Sequence, residues 1–336
     1  MKIAHKIETY TSDGEPVLRF TVMNSSGVYM EFTNWGARWI TASVPDVQGA
    51  LDNVLIGYDS LAGYLEDSYY MGATIGRFAN RIADASFTID RKTFHLEAND
   101  GNNTNHGGFS GFHNKVWQWE ELPDGIRFSL YSPDGEGGFP GNIRVITDYR
   151  FNEDNELSVR HYAETDCATY INMTNHAYFN LCGKGKKITE HRLHIPADRI
   201  LDTTPAFIPT GKRMNVKNTP FDFTSLKPIG TDLYADHEQL LWNKGYKWAK
   251  HPAPYPPCGG RFPSTRPQTV LTCLHVYGFP LVTLLFTIVL NHRVAVLTDN
   301  QCLAMSFEHQ FLPLIIAFQL GESPHMMHDY FSFLTT

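Results

Sequence analysis

An all-β protein, built as two large antiparallel sheets packed in a sandwich, is what this 336-residue sequence predicts, and three observations carry the prediction. From residue 17 to about residue 166 apolar and polar side chains alternate with a period of two, the spacing of a strand with one face buried. Asp-Gly dipeptides interrupt that alternation at 13–14, 124–125 and 134–135, where a tight turn would join neighbouring strands. Between them no stretch sustains a 3.6-residue period, and sheets with one apolar face bury it most simply against each other.

In chain order, residues 17–22 (VLRFTV) read as the first well-patterned strand after the turn at Asp13-Gly14. The spacing between Leu61 and Tyr70 admits one short helix. Residues 86–90 (SFTID) and 157–162 (LSVRHY) alternate cleanly, and residues 168–173 read as a strand that runs into a polar stretch at Thr174. Nothing repeats at a fixed period, so neither a propeller nor a solenoid is supported.

Composition narrows the function. At 42% hydrophobic and 13% aromatic, the chain can bury a large core without disulfides or metal. Its 28 basic and 35 acidic residues leave a net charge of −7 and no basic stripe of the kind a phosphate backbone requires, so nucleic acid is not expected as a partner. The five cysteines (Cys167, Cys182, Cys258, Cys273, Cys302) are scattered, odd in number and never spaced as CxxC, which argues against a disulfide framework or a zinc site. The first 16 residues are polar and the longest apolar run, residues 277–290, is 14 long and contains Pro280. That is shorter than the ~20 residues needed to span a bilayer. The expectation is a cytoplasmic, monomeric protein with no membrane partner.

Organisation changes near residue 250. Of the charged Asp, Glu, Lys and Arg residues, 56 precede residue 251 and only 7 follow it, with prolines clustered at 252, 254, 256 and 257. An exposed surface needs charge to stay solvated. Residues 1–250 are therefore expected to form the β-sandwich, and residues 251–336 either complete the same domain or are aberrant sequence.

No phosphate loop, dinucleotide fingerprint, HExxH or GxSxG elbow occurs, so no common cofactor or metal is implied. Three polar clusters remain. Residues 76–82 (GRFANRI) place Arg77, Asn80 and Arg81 together, and guanidinium and amide groups suit vicinal hydroxyls, although the arginines equally suit ion pairs. Residues 99–108 (NDGNNTNHGG) end with His106 before two glycines that let backbone approach closely, or simply form a loop. Residues 174–181 (TNHAYFNL) set His176 among Asn175, Tyr178 and Asn180, which could tune its tautomer or merely satisfy a core histidine.

Taken together and in this order, these stretches resemble the aldose 1-epimerase (galactose mutarotase) family. The likeness extends to residues 132–141 (SPDGEGGFPG), 209–211 (PTG) and 219–223 (TPFDF), and covers residues 17–246. It implies a galactose mutarotase-like supersandwich and an isomerase of carbohydrate metabolism that interconverts the α and β anomers of hexoses such as galactose and glucose without a cofactor. It also implies His176 as the acid at the ring oxygen, with Arg77, Asn80, Arg81, His106 and Tyr178 holding hydroxyls or orienting the site.

The resemblance breaks down toward the end. The family's sugar-binding aspartate lies in a GYD motif, where this chain reads Gly245-Tyr246-Lys247, and an ammonium cannot accept a hydroxyl hydrogen bond. The family's base is a glutamate in an ETQ motif. In one reading, residues 307–311 (FEHQF) are a degenerate ETQ with Glu308 as base; in the other, residues 261–267 and 275–279 are the family's terminal segment and everything beyond is foreign. The first gives a working epimerase. The second gives an impaired sugar-binding relative or defective splice product without the base. A phosphorylated hexose as substrate would demand additional basic residues facing the site.

Overall fold

The structure, a computed structural model, describes residues 1–242 except 47 and 184–186, and beyond them the backbone of four strands, Val270–Leu274, Leu285–Val289, Ala295–Thr298 and Ile316–Ala317. Lys247, Glu308 and the expected boundary at residue 250 lie outside the described residues.

The first sheet is a five-stranded antiparallel meander of Lys2–Tyr10, Pro16–Met23, Tyr29–Thr33, Arg38–Pro45 and Leu51–Asn53. The second is also five-stranded and antiparallel, ordered Gln118–Leu122, Gly125–Ser132, Ile143–Phe151, Glu156–Thr165 and Leu285–Val289. The alternation read from the sequence is the burial pattern found: in Pro16–Met23 the residues Leu18, Phe20 and Val22 are buried, and in Glu156–Thr165 Leu157, Val159 and His161 are. These faces meet. The rings of Phe20 and Phe128, one from each sheet, pack edge to face at 5.4 Å between centroids, and Phe32 packs on Tyr149 at 4.5 Å. Full burial of each such aromatic contributes about 1.5–3 kcal/mol. A hydrogen bond also crosses the core, the Tyr149 hydroxyl donating to the Ala37 carbonyl at 2.7 Å.

The expected helix is present but short, Leu61–Leu65. Two findings differ from expectation. A further four-stranded sheet runs beside the sandwich, and its strands Arg192–His194 and Val270–Leu274 pair in parallel, which a reading based on alternation and tight turns does not reveal. At Asp124-Gly125 the turn residues are Pro123 and Asp124, while Gly125 already pairs with Leu122. That glycine serves close approach: a Cβ there would stand 1.8 Å from the Tyr149 carbonyl oxygen. No helix among the described residues is long and apolar enough to cross a membrane.

Candidate active site

Two short antiparallel pairs carry the polar clusters to one place. Thr174–Asn175 pairs with Thr74–Ile75, and the backbone of His176 continues the ladder, donating to the Ala73 carbonyl at 2.8 Å and accepting from Gly72 N–H at 2.9 Å. Asn175 reinforces this register: its amide nitrogen donates to the Gly72 carbonyl at 2.7 Å and to the Tyr149 hydroxyl at 2.9 Å, and its side-chain oxygen accepts from Ala177 N–H at 3.0 Å. The asparagine is buried and its polar atoms are satisfied, so it fixes where the next residue, His176, begins.

Thr104–Asn105 pairs with Arg81–Ile82, and His106 N–H then donates to the Asn80 carbonyl at 3.2 Å. The glycine after it is required by contact as well as conformation. Gly107 has φ +84° and a Cβ there would lie 2.0 Å from the Gly76 carbonyl oxygen, so the HGG loop and the GRFANRI segment touch backbone to backbone.

His106 and His176 are consequently neighbours, both buried, with ring centroids 5.2 Å apart and planes at 88°. Asn80 N–H donates to Nδ1 of His106 at 3.1 Å, so Nδ1 is an acceptor and the neutral ring carries its proton on Nε2. Asn80 also accepts Arg81 N–H on its side-chain oxygen at 2.9 Å. Tyr178 lies beside His176, 4.9 Å between ring centroids, and its hydroxyl donates to the Tyr69 carbonyl at 3.0 Å. The Arg81 guanidinium pairs with Asp100 at 2.6 Å and lies 5.1 Å from the centre of the Phe207 ring.

Arg77 is placed differently from the other five. It is buried, and its five N–H groups are occupied by Ser132, Pro133, Pro140 and Gly141: Nε donates to the Ser132 hydroxyl, Nη1 to the carbonyls of Pro140 and Gly141 at 2.9 Å each, and Nη2 to the Ser132 and Pro133 carbonyls at 3.0 and 2.8 Å. No donor remains for a sugar hydroxyl. Burial pushes its pKa down to about 10, with Glu136, Asp134 and Asp166 opposing that shift, so it stays a cation at neutral pH. The residue next to Gly76 thus holds the SPDGEGGFPG loop in place rather than gripping a ligand.

Sequence reasoning overlooked residues that the fold brings here. Tyr70 packs on His106 at 4.6 Å, on His113 at 4.7 Å and on His176 at 5.8 Å between ring centroids. His113 is 4% exposed and its Nδ1 has no hydrogen-bond partner among the described residues. Burial first, then the nearby Arg38 and His176, push its pKa down to about 3, against an opposing pull from Asp67, so this third imidazole is neutral. Its only signal in the sequence was proximity to the HGG loop, seven residues after His106. Among the described residues no group of His, Cys, Asp and Glu could hold a metal ion.

A mostly β fold thus gathers two buried imidazoles, an amide and a guanidinium beside a glycine-rich loop. The sequence profile described as aldose 1-epimerase matches residues 19–254. The chain is 38% identical to the aldose 1-epimerase of Escherichia coli (strain K12) over 238 residues, which is 70% of this chain and 68% of that protein, and 39% identical to the galactose mutarotase of Bos taurus over 64% and 63% of the two chains. Among solved structures it is similar to galactose 1-epimerase from Lactobacillus acidophilus NCFM, with a TM-score of 0.64 and 28% identity over 72% of this chain and 71% of that one. The chain belongs to the aldose 1-epimerase family, isomerases that interconvert sugar anomers.

Proposed function

We propose that this chain interconverts the α and β anomers of an aldohexose such as galactose or glucose by paired acid and base catalysis. His176 protonates the ring oxygen while a carboxylate, Glu308, removes the proton of the anomeric hydroxyl; the C1–O5 bond breaks, the aldehyde rotates about C1–C2, and the same groups reverse their roles on closure. Protons and electrons balance without a cofactor. Each positioned proton-transfer group typically contributes about 10²–10⁴ in rate.

The observation that carries the reading is the perpendicular pair of buried imidazoles, His106 and His176, 5.2 Å apart, with the tautomer of His106 set by Asn80. In this reading His106 presents its Nε2–H to a hydroxyl, Asn80 and Arg81 hold further hydroxyls, and Tyr178 orients His176. Arg77 contributes indirectly, through the loop that it holds. The net charge of −7 and dispersed cysteines support a cytoplasmic monomer that engages neither nucleic acid nor membrane.

The profile match ends at residue 254, before Glu308, and that observation favours testing a second reading in which the chain binds sugar without turning it over. The experiment is polarimetric mutarotation of D-galactose together with calorimetric titration, on the parent, His176→Asn and Glu308→Gln. Both variants are expected to keep sugar binding and to lose about 10²-fold or more in rate, because proton transfer is a transition-state contribution. A parent that binds sugar at no measurable rate would establish the second reading, and a Glu308→Gln variant as fast as an active parent would remove Glu308 as base.

A further inference from the structure

We propose that Tyr70 is a positioning residue of this site, the ring that sets the planes of the three imidazoles, and that the Arg38–Asp67 ion pair is the clamp that holds it there. The proposal rests on the anomer-interconverting reading for its kinetic consequence alone.

The clamp takes hold of the chain on both sides of Tyr70. Asp67 accepts Tyr69 N–H on Oδ1 at 2.9 Å and Met71 N–H on Oδ2 at 2.8 Å, so one carboxylate grips both neighbours of Tyr70. The same carboxylate accepts the Tyr58 hydroxyl at 2.9 Å and Arg38 Nη1 at 2.6 Å, and the Arg38 and Asp67 side chains are both fully enclosed. Arg38 reaches onward to the carbonyls of Met71, at 2.9 Å, and His113, at 3.3 Å. One cation therefore joins the loop carrying Tyr70 to the segment carrying His113. The Tyr178 hydroxyl, donating to the Tyr69 carbonyl, joins that loop to the strand end bearing His176.

Held this way, Tyr70 adopts φ +59°, a left-handed conformation that a bulky side chain takes only when its surroundings impose it. The imposed geometry aims the half-buried ring at His106, His113 and His176 at once. A rigid aromatic body against three imidazoles restricts their rotation and keeps water from their faces. Among the described residues, Arg38 and Asp67 are the charged groups that act on His113, and Tyr178 is a titratable group beside His176.

The experiment compares the full chain with Tyr70→Ala and Tyr70→Phe, each first checked for an unchanged circular dichroism spectrum. Long-range proton–nitrogen spectra of 15N-histidine protein report which imidazole nitrogen carries the proton. The parent and Tyr70→Phe are expected to show His106 as a single Nε2–H form, and Tyr70→Ala is expected to show averaged signals for His106 and His176. In mutarotation Tyr70→Ala should lose about tenfold or more in kcat with KM within about twofold, since misplaced proton-transfer groups cost turnover rather than binding, and Tyr70→Phe should restore kcat. An unchanged nitrogen pattern in Tyr70→Ala overturns the proposal. So does a rise in KM at constant kcat, which would make the ring a sugar platform instead. If the parent shows no mutarotation, the anomer reading fails while the nitrogen spectra still decide the role of Tyr70.

Discussion

Single residues of one type are used differently in this site, as Arg77 and Arg81 show. Arg77 and Arg81 stand four apart in one motif, yet the former directs every donor at the Ser132–Gly141 loop while the latter pairs with a half-exposed aspartate. Arg77→Lys replaces a fork of five donors by a single ammonium and leaves several buried carbonyls unsatisfied. Urea unfolding is expected to show a loss of about 3 kcal/mol or more. Sugar affinity of the folded protein should hardly change by calorimetry. Lost affinity at unchanged stability would return Arg77 to the binding role that its motif suggests. Gly107 makes the complementary case: Gly107→Ala brings a Cβ to 2.0 Å from a backbone oxygen at a positive φ, and neither partner can yield, so a destabilisation above about 2 kcal/mol is expected in the same assay.

At the scale of elements, loops and short strand ends carry the candidate site residues, and buried polar groups hold those segments. The Arg38–Asp67 pair is the clearest instance, with both side chains at 0% exposure. Burying two charges costs several kcal/mol, which their mutual attraction and added hydrogen bonds roughly offset, but an unpartnered survivor is not compensated. Asp67→Leu or Arg38→Met alone is therefore expected to cost about 3–5 kcal/mol in chemical unfolding, and the double variant Arg38→Met with Asp67→Leu should cost less than the sum of these two. Strict additivity in that cycle would mean that the pair is not coupled. Because Asp67 grips Tyr69 and Met71, the single variants should also weaken mutarotation before they unfold the sandwich.

For the whole molecule, acid is the condition that tests the core. Burial pushes the pKa of His161 down to about 4, and burial together with Arg38 pushes that of His113 down to about 3. Both are depressed from 6.5 in the unfolded chain, so above that pH neither state binds the proton and stability is level. Below it the unfolded chain protonates while the native state does not, and stability falls as pH drops from 6.5 toward 3–4. The slope is about 1.4 kcal/mol per pH unit for each histidine. Urea midpoints at pH 7 and pH 5 should differ accordingly, and His161→Gln should reduce the difference; equal midpoints in the parent would contradict the burial of both rings. Most of the sandwich was legible in the sequence, because two-residue alternation is a local property that survives unchanged into the burial of Phe20, Val22, Leu157 and Val159. The motifs around Asn80, His106 and His176 were legible for the same reason: each is a short run whose backbone demands, such as a glycine after His106, are written in neighbouring residues. Tertiary structure alone decided that Arg77 serves a loop, that Gly125 yields room to Tyr149, and that Tyr70 and His113 join His106 and His176. Those placements depend on hydrogen bonds and contacts between segments far apart in the chain, and no local pattern encodes which distant carbonyl or ring a side chain will meet.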